Sequence, residues 1–140
     1  MHWSAAYVGL PWAEKGTSRE GIACWGLCAL VLAEQRGIEV PRYEEAITCS
    51  AEREEIAALF DSAPREWPWS TVEIEREFDI VVFRRLGMDV HAGIVVEPGR
   101  MLHVTSGQES CIASYRDGKW APRLSGRYRH AGLGSDPHVA

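Results

Sequence analysis

The fold of this chain is decided by the stretch Gly21-Ile22-Ala23-Cys24-Trp25-Gly26-Leu27-Cys28-Ala29-Leu30-Val31-Leu32. In it a cysteine follows a glycine-containing loop and opens an apolar run with helical spacing, which predicts a helix from about Cys24 to Arg36. A thiol at a helix N-terminus lies beside unpaired backbone N–H groups and the positive end of the helix dipole, and both favour the thiolate. Because a thiolate is a strong nucleophile, Cys24 is the first candidate catalytic residue.

The predicted helix is apolar on nearly every side, which is typical of a central, buried helix, and Gly37 supplies a stop. A second helix is predicted from Ser50 to Phe60, because Ser50 can cap it and its apolar residues share one face. Residues 1–20 are predicted to be rich in loops, and two prolines between Ala63 and Trp69 predict a break.

The second half of the chain has the composition and turn spacing of β-strands. Predicted strands cover Phe78–Arg84, Val90–Val96, Met101–Thr105 and Cys111–Tyr115. Glycine-containing turns are predicted at Leu86-Gly87, Glu97-Pro98-Gly99-Arg100 and Asp117-Gly118. Helices followed by consecutive strands indicate an α+β fold with an antiparallel meander, in a single domain over residues 1–140.

Two histidines in these strands are candidate bases for Cys24. His91 lies near the start of one predicted strand, and His103 lies on the next strand along the chain. Neighbouring antiparallel strands hold opposed side chains about 5 Å apart, so the two imidazoles can meet if register and face allow it. One imidazole could then take the proton from the Cys24 thiol while the other orients that base.

Charge and hydropathy exclude some classes of protein. The formal net charge of −5 argues against a nucleic-acid binder, which usually presents a basic face. The longest apolar run, Ile22–Ala33, is too short to span a bilayer. The segment Met1–Tyr7 lacks the basic start and apolar core of a secretory signal. We therefore expect a chain made in the cytoplasm without membrane insertion.

The cysteines suggest a metal site only weakly. The four cysteines are Cys24, Cys28, Cys49 and Cys111, and their spacing matches no disulfide framework. Cys28 is expected to be a small buried residue of the core. A zinc site made of Cys24, Cys28, His91 and His103 is possible on paper, but the compact Cys-x-x-Cys hook of such sites is missing. The sequence therefore predicts no metal and no cofactor.

Two further patterns favour structural roles. The tryptophans Trp12, Trp67 and Trp69 are predicted to lie in loops, where packing at the edge of the core is favoured over stacking on sugar rings. The acidic residues Glu73, Glu75, Glu77 and Asp79 alternate with other residue types, which predicts the solvated face of a short element. The same pattern gives no support for the carboxylate pair of a glycosidase.

Several short motifs occur in an order that carries a family resemblance. The order is Tyr7, Cys24-Trp25-Gly26-Leu27, Phe78-Asp79-Ile80-Val81-Val82-Phe83, His91-Ala92-Gly93-Ile94 and Leu102-His103. It resembles the NlpC-type cell-wall peptidases, a papain-like group, over roughly residues 7–130. The Cys-Trp-Gly-Leu start is most similar to the versions carried by bacteriophage tails and gene-transfer particles.

The resemblance implies a fold, a site and a substrate. It implies a papain-like α+β fold with N-terminal helices packed on an antiparallel sheet. It implies that Cys24 is the nucleophile, His91 the general base and His103 the residue that orients His91. Tyr7 and Trp25 match positions near the oxyanion or the substrate, and the implied substrate is the stem peptide of peptidoglycan, cleaved through a thioester.

One departure from the family pattern opens an alternative. Relatives usually carry Asp immediately before the nucleophile, where this chain has Ala23. In peptide-cutting relatives that carboxylate helps hold the amine of the substrate. We therefore consider two hypotheses: a tail-borne peptidase of a phage-like particle acting at the bacterial cell wall, or a catalytically weak tail component that caps or plugs the assembly. Both make phage-like tail or baseplate proteins possible partners.

Overall fold

The computed structural model describes residues 2–13, 16–40, 69–85 and 88–133. Its one described α-helix, α1, runs over Cys24–Arg36, as the sequence predicts. Every residue from Cys24 to Leu32 is buried, so the helix is central. It ends at Gly37, which adopts φ +66° and closes the last turn through backbone N–H bonds to Ala33 and Leu32. The second predicted helix, residues 50–60, falls outside the described residues, so packing by several N-terminal helices is not established.

Eight strands accompany α1 in the described part of the chain. They are β1 (Thr17–Ser18), β2 (Gly21–Ile22), β3 (Trp69–Thr71), β4 (Ile80–Arg85), β5 (Met88–Glu97), β6 (Arg100–His103), β7 (Cys111–Ser114) and β8 (Leu124–His130). Strands β1 and β2 form a short hairpin before the helix. A 3-10 helix over Trp3–Tyr7 replaces part of the predicted N-terminal loop, and two more 3-10 turns cover Ala121–Arg123 and Ala131–Leu133.

The main sheet has six antiparallel strands in the order β3-β8-β4-β5-β6-β7. Strands β4 to β7 form the predicted meander, and their bounds differ from prediction by a few residues at the ends. Strand β8 was not predicted, and it returns to lie between β3 and β4. A left-handed Gly99, with φ +91°, makes the tight turn between β5 and β6.

The central strands β4, β5 and β6 are buried on both faces of the sheet. One face packs against α1 through a first cluster that includes Ile80, Ala92, Ile94 and Leu102. The other face carries a second cluster: Val81, Phe83, Val95, Met101 and Tyr115, with Trp120 and Leu124 packed against it. Side chains alternate between faces along a strand, so His91 and Gly93 project from the same face as Val95. A Cβ at Gly93 would lie 2.6 Å from Met101 Sδ, which confirms that Gly93 faces the second cluster.

The acidic segment before β4 is not the solvated face that its pattern predicts. Asp79 is fully buried and accepts two hydrogen bonds from Arg129, at 2.8 and 2.7 Å. Glu75 is also buried and accepts a hydrogen bond from the Tyr115 hydroxyl. Its carboxylate also lies 3.7 Å from Arg127 Nε. The prediction is therefore wrong for these two carboxylates, because arginines of β8 neutralise them inside the protein.

Within the described ranges, no helix is both long enough and apolar enough to cross a membrane.

Candidate active site

Strands β5 and β6 bring His91 and His103 together on one face of the sheet. His91 Nε2 lies 2.9 Å from His103 Nδ1, a hydrogen-bond distance, and the two rings are 5.1 Å apart at 79°. The register pairs Ile94 with Leu102, so the two histidines occupy diagonal positions rather than directly opposed ones. Imidazole side chains are long enough to span this diagonal.

Trp120 covers both imidazoles. Its ring stacks on His91 at 4.8 Å and 22°, and it meets His103 edge-on at 5.1 Å and 89°. Phe83, the cross-strand neighbour of His91, completes the apolar surroundings with its ring 6.0 Å from that imidazole. Sequence reasoning did not single out Trp120, because nothing local distinguishes it from the other five of the chain's six tryptophans.

Burial lowers the pKa of both imidazoles. The pKa of His91 falls to about 3, first through burial and then through the charges of His103 and Lys119. The pKa of His103 falls to about 4, again through burial first and then through Lys119. The Lys119 ammonium lies over the Trp120 ring, 5.3 Å from its centroid. Both imidazoles are therefore neutral at pH 7, and a neutral imidazole can accept a proton.

The hydrogen bond to His103 occupies one nitrogen of His91 and leaves the other for a reacting group. Since Nε2 of His91 faces His103, Nδ1 is the nitrogen through which His91 can take a proton. On the far side of His103, Nε2 lies 3.7 Å from the sulfur of Cys111, an exposed residue of β7. The side chains thus form a row in which both nitrogens of His103 and Nε2 of His91 have a defined neighbour.

Cys24 is the first residue of α1. Ala23 is its N-cap, in an extended conformation and without a side-chain hydrogen bond to the first turn. Cys24 keeps 5% of its surface exposed, and His91 and His103 keep 8% and 4%, whereas Cys28 has none. Burial raises the pKa of the Cys28 thiol well above its usual range, so Cys28 stays protonated. Of these two helix cysteines, Cys24 is the candidate nucleophile.

Trp25 lies inside the protein beside β3. It is 2% exposed, and its ring meets the ring of Trp69 edge-on at 5.9 Å. Trp69 itself belongs to β3 and is buried, so the prediction that it lies in a loop is wrong. Trp12 is half-buried and bridges to Ile22 through its backbone, and Trp67 falls outside the described residues. The Trp25 side chain packs as part of the first cluster.

Tyr7 does not lie near the candidate nucleophile, in contrast to the expectation from the resemblance. Its hydroxyl donates to Glu34 Oε1 at 2.7 Å and accepts from Gln35 Nε2 at 3.0 Å. Glu34 also pairs with Arg19 through two bonds of 2.8 and 2.7 Å. Glu34 comes ten residues after Cys24, about 15 Å along the helix axis. The Tyr7 hydroxyl therefore holds the C-terminal end of α1, away from a developing oxyanion beside Cys24.

The zinc alternative finds no support in the geometry. Among residues 2–13, 16–40, 69–85 and 88–133, no three His, Cys, Asp or Glu side chains are placed to hold a metal ion. The facing nitrogens of His91 and His103 bond to each other instead of pointing at a common centre.

Comparisons with known proteins identify the fold. The sequence matches the NlpC/P60 family over residues 9–129. The NlpC/p60 domain of the peptidoglycan hydrolase SagA is similar at 16% identity and TM-score 0.61, with 90% of this chain and 92% of that chain covered. An NLP/P60-family protein similar to lipoprotein from Staphylococcus aureus subsp. aureus Mu50 gives 22% identity and TM-score 0.62, with 91% of this chain and 38% of that one covered.

An NlpC/P60 family protein from Bacillus cereus ATCC 10987 gives 20% identity and TM-score 0.65 over 91% of this chain and 37% of that one. This chain therefore spans well under half of the last two proteins. No curated protein matches the sequence. The family match extends over most of the chain, and the solved structures share its papain-like fold. The chain belongs to the NlpC/P60 family, whose members are cysteine peptidases that hydrolyse peptidoglycan.

Proposed function

We propose that this protein is a cysteine peptidase that hydrolyses amide bonds in the stem peptides of peptidoglycan. In this proposal Cys24 is the nucleophile, His91 the general base and His103 the residue that orients His91. The observation that carries it is the 2.9 Å contact between His91 Nε2 and His103 Nδ1 in a chain of this family. That contact leaves Nδ1 of His91 outside the imidazole pair, and the proposal requires the Cys24 thiol to reach that nitrogen during the reaction.

The proposed reaction is acyl transfer in two halves. Nδ1 of neutral His91 accepts the Cys24 proton as the sulfur attacks the amide carbonyl carbon, and the lowered pKa of His91 favours this concerted transfer over a preformed ion pair. The oxyanion forms beside the N-terminal backbone N–H groups of α1, and the helix dipole stabilises it. His91 then gives the proton to the leaving amine, and water hydrolyses the thioester with His91 again as base.

The proposal is tested with purified protein, isolated peptidoglycan and mass spectrometry of the released stem fragments. Cys24→Ala should lose turnover to background, a drop of at least about 10³-fold, while Cys28→Ala, the matched control on the same helix, should retain it. His91→Ala should also lose turnover, and His103→Asn should lose less because Asn can still accept from His91 Nε2. Fragment release by folded Cys24→Ala equal to wild type would exclude Cys24 as the nucleophile.

We further propose that the enzyme works as a tail component of a phage or phage-like particle and acts on the cell wall of the bacterium that the particle enters. The support is the Cys-Trp-Gly-Leu start of α1, which resembles tail-borne versions of the family. Cleavage of stem peptides in the cell wall would help the particle to cross that wall. Stable co-purification with tail or baseplate proteins is expected, and a particle fraction that lacks the chain while free protein is abundant would contradict the proposal.

A second candidate is a structural tail component that retains the peptidase fold with little activity. Ala23 favours it, since the N-cap of α1 lacks the carboxylate that relatives use on the substrate amine. This candidate predicts that wild type and Cys24→Ala release equally little fragment and that both assemble into particles. Turnover that depends on Cys24 would eliminate it.

A further inference from the structure

Cys111 lies at the outer end of the histidine row. It pairs with His103 across strands β6 and β7, and its sulfur lies 3.7 Å from His103 Nε2. His103 uses its other nitrogen for His91. Each ring nitrogen of His103 therefore has a different neighbour, and the neighbours decide which nitrogen carries the hydrogen.

Two hydrogen arrangements satisfy the contact between the neutral imidazoles. In the first, His91 Nε2 carries the hydrogen and donates to His103 Nδ1, which leaves His91 Nδ1 with a lone pair. In the second, His103 Nδ1 donates to His91 Nε2, and His91 Nδ1 carries the hydrogen. Only the first leaves His91 able to accept a proton at Nδ1, so only the first serves a base at that atom. The first arrangement also puts the hydrogen of His103 on Nε2, facing Cys111.

We propose that Cys111 is a positioning residue, whose sulfur accepts the Nε2 hydrogen of His103 and so selects the tautomer of both imidazoles that catalysis needs. This inference rests on the proposed function, because the tautomer affects catalysis only if His91 Nδ1 is the base. Cys111 would then be the residue that keeps that nitrogen unprotonated. Within the described residues, Cys111 is the only hydrogen-bond partner of His103 Nε2. His91 occupies Nδ1, Trp120 presents its ring, and the Lys119 ammonium is a donor.

Because Cys111 is exposed, polar and charged residues fit there without burial, and the proposal can be tested by reversing the polarity of the contact. Cys111→Asp offers a stronger acceptor to Nε2–H, and Cys111→Lys offers a donor, which favours the opposite tautomer. We expect kcat to hold or rise in Cys111→Asp, to fall about five-fold in Cys111→Ala, and to fall further in Cys111→Lys, with KM little changed. A purely structural side chain would give no such ordering by polarity.

The matched controls are Gln108→Asp and Gln108→Lys, which make comparable changes of charge at an exposed position of the connection between β6 and β7. They should leave kcat unchanged, which separates the contact from a general effect of charge. The tautomers are read directly from the two-bond ¹H–¹⁵N spectrum of the histidine side chains, which needs no enzyme activity. His103 should carry hydrogen on Nε2 in wild type and shift towards Nδ1 in Cys111→Lys.

Equal kcat values for the Asp, Ala and Lys variants, or the same His103 tautomer in wild type and Cys111→Lys, would overturn the proposal. If wild type releases no stem fragments, the proposed function fails, while the spectrum still decides whether Cys111 selects the tautomer.

Discussion

The two imidazoles under Trp120 should make the protein lose stability as the pH falls from 7 to 5. The folded-state pKa is about 3 for His91 and about 4 for His103, both below the ordinary 6.5. A depressed pKa means that the unfolded chain binds more protons, so the stabilisation is complete above pH 6.5 and is lost as the pH falls towards the folded pKa. From pH 7 to pH 5 each imidazole should contribute a loss of about 2 kcal/mol, and the pair about 4 kcal/mol.

Urea unfolding, followed by tryptophan fluorescence at pH 7, 6 and 5, measures this loss. His103→Asn removes one titrating ring and keeps an acceptor for His91, so its loss over the same interval should shrink by about 2 kcal/mol. His130, whose pKa is also lowered by burial, contributes equally to wild type and variant and cancels in the comparison. Identical losses in the two proteins would show that the pair is charged, or exposed, in the folded state, and the neutral-base mechanism would fail with it.

Three further predictions concern the surroundings of the site. Trp120→Ala should admit water to both imidazoles and raise the pKa of His91. The acid limb of the kcat/KM profile should therefore move up by about one pH unit, and an unmoved limb would show that Trp120 does not shield the pair. Asp79→Asn should lower the free energy of unfolding, measured in urea, by about 3 kcal/mol because it leaves Arg129 without its buried charged partner. Glu97→Gln, in an exposed pair, should lower it by under about 0.5 kcal/mol. Similar losses in the two variants would contradict the buried-pair argument. Ala23→Asp should stabilise α1 by about 1 kcal/mol by adding the missing cap, and no gain in urea unfolding would mean that the first turn is already satisfied.

Local signals in the sequence were sufficient for α1 and the meander. The unbroken apolar run and Gly37 fix the bounds of the helix, and the turn at Glu97–Arg100 brings β6 back along β5. That turn is also why the meeting of His91 and His103 could be expected: a short connection leaves few registers open. The sequence could not show which face they occupy, since that depends on packing against residues far along the chain.

Strand β8 could not be predicted from the sequence, for a physical reason. Its residues Leu124–His130 include two arginines and a glycine in place of alternating apolar side chains, and every one of them is half-buried. The arginines can lie in the sheet because Asp79 accepts hydrogen bonds from Arg129 and the Glu75 carboxylate lies 3.7 Å from Arg127 Nε. Those carboxylates come some fifty residues earlier in the chain. Read locally, the charges of each segment predict that it is exposed to solvent. In the fold, the acidic segment before β4 and the arginines of β8 pair with each other.

Tyr7 shows the limit of carrying a role over by resemblance. Its place in the chain order matches the family, but its hydroxyl is held by Glu34 and Gln35 at the far end of α1. The role of that side chain depends on partners that the motif does not contain. The same holds for Trp120, which the motif omits although it contacts both imidazoles.

Ala23 and the neutral imidazoles bear on the same step of the proposed reaction. A carboxylate at position 23 would cap α1, but its charge would oppose both the Cys24 thiolate and the oxyanion that form beside it. With alanine at position 23, no carboxylate weakens the interaction of the helix dipole with the thiolate and the oxyanion. The chain then lacks both a side-chain cap for α1 and a carboxylate to bind the substrate amine. A base with a pKa near 3 holds the thiol proton weakly, so the attack depends more on that helix end than it would beside a more basic histidine. In the proposed reaction, the chain therefore combines a weak base with an unopposed helix dipole, and we expect it to favour substrates that do not need a carboxylate to hold their amine.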